Sequence, residues 1–230
     1  MTTKQLSPEV LKRLRSYYSA TVSNALEHFK VRDQATGYAT NQLVCSFPGL
    51  QPMVGYALTC TADTTQPGDN RPSRVDKLVE AVEAAPKPCV IVIQHSGHDR
   101  PRSCFLGDMF TSTMEKLGCV GVVTDGNHRD IAGIHARTPG FHVFSAGCVV
   151  SHGWGVFYDF NVTVTISGLT IEPGDLLHGD GNGLLSLPMK MADRVLHQAE
   201  EVLKVEQDYF DFLDSDDFNI DEMKRRFVPH

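Results

Sequence analysis

The stretch that most constrains this chain is residues 107–130, GDMFTSTMEKLGCVGVVTDGNHRD. Gly107-Asp108 is suited to open a helix, and Met109, Met114 and Leu117 give that helix apolar surface. Gly118 follows where a left-handed cap would end it. Cys119, Val120, Val122 and Val123 form a short apolar run that suits a buried strand. Asp125-Gly126 turns the chain, and Asn127-His128-Arg129-Asp130 follows. Two acids and an arginine therefore bracket one helix–strand unit. With the strand packed beside the helix, its C-terminal loop returns to the helix N-terminus, and Asp108, Arg129 and Asp130 meet in one cleft.

Those residue types define a chemistry. A helix N-terminus presents unpaired amides and a positive dipole end, which attract a carboxylate. Arginine grips a carboxylate or polarises a ketone oxygen through its planar fork. Two carboxylates without cysteine ligands suit a hard cation such as Mg²⁺ or Mn²⁺. Together they describe a site for a 2-oxo acid on a metal. A plainer assignment uses the same residues: Asp108 as a helix cap and Arg129-Asp130 as a surface ion pair.

The rest of the chain supplies helices and strands around this unit. Ser7-Pro8-Glu9 starts a helix, with Val10, Leu11, Leu14, Tyr17 and Tyr18 at helical spacing. Thr21 is placed to cap a second, short helix running through Leu26. Residues 56–62 read as a strand, and Pro67-Gly68-Asp69-Asn70 as a loop. Ser73 is placed to cap a helix built on Val75, Leu78, Val79 and Val82. Residues 89–93, CVIVI, are the most apolar strand and are expected at the centre of a sheet. The loop after it carries His95 and His98, expected to line the cleft or meet solvent. Strands are expected at residues 142–145, 161–166, 176–178 and 184–187. Trp154, in a glycine-broken loop, reads as a packing anchor. Residues 189–212 have the pattern of one long helix.

Composition excludes several classes. The formal net charge is −7 with no basic block, which disfavours nucleic acid as a partner. The six cysteines are scattered without a CxxC pair and read as buried free thiols of a reducing compartment. There is no signal peptide and no apolar run of membrane length, so a cytoplasmic location is expected. No GxGxxG follows a strand, which disfavours NAD and S-adenosylmethionine. The glycine-rich residues 179–183 lack the P-loop lysine.

The central stretch resembles the RraA-like family, which includes the 4-hydroxy-4-methyl-2-oxoglutarate / 4-carboxy-4-hydroxy-2-oxoadipate aldolases. In that aldolase branch the mark is an Asp, twenty residues, then Arg-Asp, matched here by Asp108 and Arg129-Asp130. Flanking residues 19–26 (SATVSNAL) are similar to the family's S-x-x-x-S-D-A-L. Pro173-Gly174-Asp175 and residues 180–183 are similar to its P-G-D…D-x-x-G. The resemblance spans about residues 8 to 205. It implies an α/β fold, a layered β/β/α swivelling-type domain with mixed sheets. Residues 1–205 are expected to form that domain. Residues 206–230 are expected as a C-terminal extension whose apolar side chains suit packing on a neighbouring subunit.

The resemblance also implies homotrimers, often stacked as hexamers, with the active site at a subunit boundary. It implies a divalent-metal-dependent lyase that releases pyruvate by retro-aldol cleavage of a 4-hydroxy-2-oxo acid, by oxaloacetate decarboxylation, or by both, through a metal-stabilised pyruvate enolate. By resemblance Asp130 holds Mg²⁺ or Mn²⁺ directly and Asp108 through water. Gly107, Asp108, Met109 and Phe110 hold the pyruvoyl carboxylate, and Arg129 binds the ketone oxygen. Arg129 and Asp108 are then the catalytic residues. Two positions depart from the family pattern: Asn127-His128 stands where small apolar residues are frequent, and Asn182 where an acid is common. His128 brings a group that titrates near neutral pH beside Arg129. The family's regulator branch, which tends to lack the first Asp, binds an RNA-degrading enzyme without a metal. That is the alternative function.

Overall fold

The computed structural model describes residues 5–66 and 73–227. In chain order the elements are α1 (Pro8–Leu14), α2 (Ser19–His28), β1 (Val44–Cys45), β2 (Met53–Asp63), α3 (Val75–Ala84), β3 (Cys89–His95), β4 (Cys104–Leu106), α4 (Asp108–Lys116), β5 (Cys119–Thr124), β6 (Asn127–His128), α5 (Ile131–Arg137), β7 (His142–Ser145), β8 (Gly147–Cys148), β9 (Val156–Phe160), β10 (Val164–Ile166), β11 (Leu169–Ile171), β12 (Leu176–Asp180), β13 (Gly183–Leu187), α6 (Ala192–Leu213) and α7 (Ile220–Phe227). The turn expected at Pro67-Gly68-Asp69-Asn70 lies outside the described residues.

The main sheet has eight strands in the order β1-β7-β5-β3-β2-β12-β13, with β9 also on β2. Its centre, β2-β3-β5-β7, is parallel, as the helical crossovers α3, α4 and α5 between those strands require. The outer strands β1, β9, β12 and β13 run antiparallel. Alternation along a strand sorts side chains to two faces. From β2 and its neighbours, Leu58, Ile91, Ile93 and Val122 meet Leu78 and Val82 of α3, Met114 of α4 and Ile134 of α5. On the same side, Val54, Tyr56 and Leu176 meet Leu11, Val22, Val195 and Leu196 of α1, α2 and α6. The opposite face, with Ala57, Val90, Val92, Val123 and Phe144, packs under Val164, Ile166, Leu169 and Ile171 of the β10–β11 hairpin. Hairpin, sheet and helices make the β/β/α layering. The CVIVI segment is buried throughout because both its faces are covered.

Local expectations hold where the sequence is strongly patterned. Ser7 caps α1 by accepting the Val10 amide, and Gly118 takes φ +83 after α4. They fail where a distant residue intervenes. Helix α2 starts at Ser19, not after a Thr21 cap, because Asp180 of β12 accepts the Ser19 amide. Ser73 does not cap α3; Arg74 precedes that helix in a left-handed conformation and its guanidinium donates to the Tyr158 carbonyl. The strand expected over 161–166 begins only at Val164. Asn161 has φ 55, which breaks the chain after β9, itself missed for lack of alternation.

Helix α6 runs 22 residues and passes through position 205 without a break. Helix α7 folds back on it: Phe227 meets Tyr209 at 4.8 Å and Phe212 at 5.7 Å between ring centroids. Among the described residues no helix is long and apolar enough to cross a membrane.

Candidate active site

A separate, three-stranded parallel sheet, β4-β6-β8, builds the site. Leu106 of β4 pairs with His128 of β6, and the Arg129 amide donates to the Leu106 carbonyl at 3.1 Å. Each strand then ends in the residues of interest: β4 runs into Gly107 and α4, β6 into Arg129-Asp130 and α5. The proximity of Asp108 to Arg129-Asp130 therefore comes from two short parallel strands side by side. The Asn127 side chain secures this platform, donating to the Ser103 carbonyl at 2.8 Å and the Pro101 carbonyl at 3.1 Å.

A cavity of about 320 Å³ opens above the platform, at the C-terminal end of β2. Gly107, Asp108, Met109, Phe110, Arg129 and Asp130 all line it. Open α/β sheets place ligands at this end of their strands. Gly107 precedes α4 in extended conformation and brings no side chain to cap the helix. The first-turn amides have no intrahelical acceptor, and no side chain caps them. A Cβ on Gly107 would stand 2.3 Å from Asp130 Oδ2. An alanine there would have to push that carboxylate aside.

The two acids are held differently. Asp130 sits at φ 61, left-handed, before α5, and caps nothing with its side chain. Its Oδ2 lies 3.2 Å from Arg129 Nε, with both side chains about one-third exposed. Asp108 Oδ2 lies 3.6 Å from Arg137 Nε, across α4 and α5. Arg137 is a partner the sequence did not point to. Its position, two turns into α5, has no signal apart from the packing of the two helices. The plainer assignments are thus partly realised: Arg129-Asp130 is an ion pair, but Asp108 is not the cap, since Gly107 holds that position.

Cation fit follows from the donors. Among the described residues no group of three or more His, Cys, Asp or Glu side chains is arranged to hold a metal. The cavity offers two carboxylates, and Mg²⁺ commonly takes one or two protein carboxylates with water and substrate oxygens. Cys104 also lines the cavity, where burial pushes its thiol up. The donor set is hard oxygen and fits Mg²⁺ or Mn²⁺.

Other candidates fall elsewhere. His128 turns away from the cavity into a buried pocket, with Nδ1 2.9 Å from the Gly147 carbonyl and from Ser145 Oγ. Burial lowers its pKa, which favours the neutral ring. His95 neither lines the cleft nor meets solvent: it is buried, its backbone amide donating to Asp125 Oδ1 at 2.7 Å. His98 is exposed. Five cysteines are buried and free as expected, but Cys148 is exposed. Trp154 is not a packing anchor. It is 60% exposed and lines the cavity, while its backbone amide donates to the Thr64 carbonyl at 2.9 Å. The loop is anchored through its main chain, which leaves the ring free.

Asp180 and Asn182 serve α2. Asp180 Oδ2 accepts the Ser19 amide at 2.6 Å, and Oδ1 accepts Ser19 Oγ at 2.7 Å and the Asn182 amide at 2.8 Å. The two flanking motifs, far apart in sequence, are therefore one buried helix cap. Burial alone would raise the Asp180 pKa, yet the bonds from Ser19 and Asn182 outweigh it and hold the carboxyl below its usual range.

The α/β protein thus combines a layered fold with a cavity lined by an uncapped helix end, one arginine and two carboxylates. Residues 19–185 match the model of the RraA-like family, described as Aldolase/RraA. The chain belongs to that family. It is 34% identical over 126 residues to a Halalkalibacterium halodurans protein provisionally named 4-hydroxy-4-methyl-2-oxoglutarate aldolase, covering 54% of this chain and 58% of that one. It is 27% identical over 206 residues to the Legionella pneumophila protein DlpA, covering 87% of this chain but only 31% of that one. The chain thus spans less than two thirds of either relative. An uncharacterised Pseudomonas syringae pv. tomato structure shares the fold, with TM-score 0.74 and 24% identity over 98% of this chain and 96% of that one. Streptomyces coelicolor RraAS2, an unusual member of the RNase ES inhibitor RraA family, shares it with TM-score 0.67 and 22% identity, over 89% and 97%.

Proposed function

We propose that the protein is a divalent-metal-dependent lyase that releases pyruvate from a 4-hydroxy-2-oxo acid, from oxaloacetate, or from both. One observation supports this above the rest: the uncapped N-terminus of α4, Arg129 and the carboxylates of Asp108 and Asp130 line a single cavity. The names of the aldolase relatives agree with it.

In this mechanism the first amides of α4 bind the substrate carboxylate, using the positive helix end. Arg129 binds the 2-oxo oxygen. Its ion pair with Asp130 holds the guanidinium in place, so the positive charge is preorganised where negative charge develops. In the aldol substrate the C4 hydroxyl loses its proton, the C3–C4 bond breaks, and the electron pair passes into a pyruvate enolate. In oxaloacetate the bond to the departing carboxylate breaks and gives the same enolate and CO₂. Asp130 and Asp108 would hold Mg²⁺ or Mn²⁺, which when bound supplies Lewis-acid polarisation of the 2-oxo group. Arg137 keeps the Asp108 carboxylate oriented. Assembly as a trimer or hexamer belongs to this proposal, with the exposed Phe210, Phe218 and Ile220 of the C-terminal arm as contact surface.

The test is pyruvate release from oxaloacetate and from 4-hydroxy-4-methyl-2-oxoglutarate, with Mg²⁺, with Mn²⁺ and with chelator. Metal-dependent release that vanishes in Asp130→Asn supports the lyase; asparagine tolerates the left-handed backbone there. Absence of both turnover and metal binding overturns it in favour of the protein-binding regulator.

A further inference from the structure

Both acids of the cavity are seated by glycines, and each glycine belongs to the other acid's helix. Asp130, the residue in front of α5, places its carboxylate where a Cβ of Gly107, the residue in front of α4, would lie. Asp108, the first residue of α4, does the reverse. Its Oδ2 lies 2.8 Å, and its own Cβ 3.0 Å, from the position that a Cβ on Gly133 of α5 would take. The two helix starts therefore interlock, carboxylate into glycine, in both directions.

The register of α4 on α5 is fixed beneath this contact. Met114 and Ile134 share the buried core, and Thr138 Oγ1 donates to Thr111 Oγ1 at 3.5 Å. With the helices held, the side chain at position 133 decides how much room Asp108 has. Backbone conformation does not call for glycine there. Gly133 has no positive φ and lies inside a helix, where glycine is less favourable than alanine. What the glycine supplies is space. Arg137, one turn further along the same face, stands 3.6 Å from Asp108 Oδ2 with its side chain 69% exposed. An ion pair that exposed supplies charge and little direction. The packed seat supplies the direction.

We infer, resting on the lyase reading, that Gly133 is a positioning residue for Asp108: the space it leaves seats the carboxylate against α5 and fixes where that carboxylate meets a divalent cation. An alanine at 133 would meet the end of a flexible side chain, so Asp108 turns aside while the helices stay packed. The change costs the site and spares the fold.

Gly133→Ala tests this in the full chain. Three quantities are measured: Mn²⁺ affinity by titration calorimetry, pyruvate release from oxaloacetate and from 4-hydroxy-4-methyl-2-oxoglutarate, and Tm. The Mn²⁺ dissociation constant should rise about 10–100-fold, the scale of a lost supporting contact. kcat/KM should fall alongside, with Tm equal to that of wild type or higher, since alanine favours a helix. In the Asp108→Ala background the rise should vanish, because the glycine acts only through that carboxylate. Unchanged Mn²⁺ affinity in Gly133→Ala overturns the inference, and so does a loss that persists in Asp108→Ala. If Gly133→Ala does not fold, the double variant with Asp108→Ala decides. Recovered folding places the clash at Asp108 and supports the seat; an unfolded double variant overturns it. Wild-type Mn²⁺ binding without pyruvate release from either substrate overturns the lyase alone. A wild type that binds no Mn²⁺ overturns both.

Discussion

Helices α2 and α4 begin in contrasting ways. At α2 the free amide end is filled from within the protein. Asp180 reaches across from β12, accepts the Ser19 amide and hydroxyl, and is 2% exposed. At α4 the residue in front is Gly107, no side chain fills the end, and the amides open on the cavity. The physics is the same in both: a helix N-terminus favours a carboxylate. At α2 the carboxylate is covalently part of the chain, so the interaction secures the fold. At α4 no side chain of the chain fills that end, and under the proposed function the substrate's carboxylate takes the place.

Four substitutions sharpen or break this contrast. The largest effect is expected at the open end. Arg129→Ala should lower kcat for pyruvate release by about 10²–10³-fold, the scale of a lost oxyanion donor. Unchanged turnover in a steady-state assay would remove the site from the mechanism. Gly107→Ala comes next. Its backbone is compatible with alanine, but the new Cβ displaces the Asp130 carboxylate. Activity should fall by roughly 10–100-fold, as for an angstrom-scale misplacement, with Tm nearly unchanged by calorimetry.

Asp180→Asn should behave oppositely. The amide nitrogen would confront donors at Ser19 and Asn182, which costs about 2 kcal/mol of stability, with kcat per folded molecule retained. Its pH dependence has a defined sign. A carboxyl held below its usual value in the folded state stabilises above the unfolded pKa of about 3.9. That stability is lost as pH falls through the lower folded value. The gap in denaturation free energy between wild type and Asp180→Asn should therefore be full at neutral pH and shrink in acid. The smallest effect is expected for Ser7→Ala, which removes an exposed cap from α1. About 1 kcal/mol or less is expected in the same denaturation measurement.

The motif of Asp108 and Arg129-Asp130 was visible in the sequence because its parts flank one helix–strand unit. The reason they meet was not. The sequence points to β5 beside α4, whereas the contact is made by the short strands β4 and β6, too brief to leave a period. The place of Trp154 is not legible in the sequence, because a lone tryptophan among glycines suits a packed or an exposed ring equally, and the Thr64 carbonyl that holds its backbone lies about ninety residues away. Arg137 and the aromatic lining of the cavity leave no mark in the sequence because the groups they meet come from distant segments.

By itself the sequence determined the α/β alternation, the buried CVIVI strand, the cap of α1 and the acidic–arginine motif. These depend on neighbours within a few residues, where backbone propensity and side-chain spacing act directly. Only the tertiary structure decided which helix end is plugged by Asp180 and which stays open, where His128 points, and which side chains line the cavity. Those outcomes depend on which segments sheet pairing brings together, and the local pattern of the chain does not encode that.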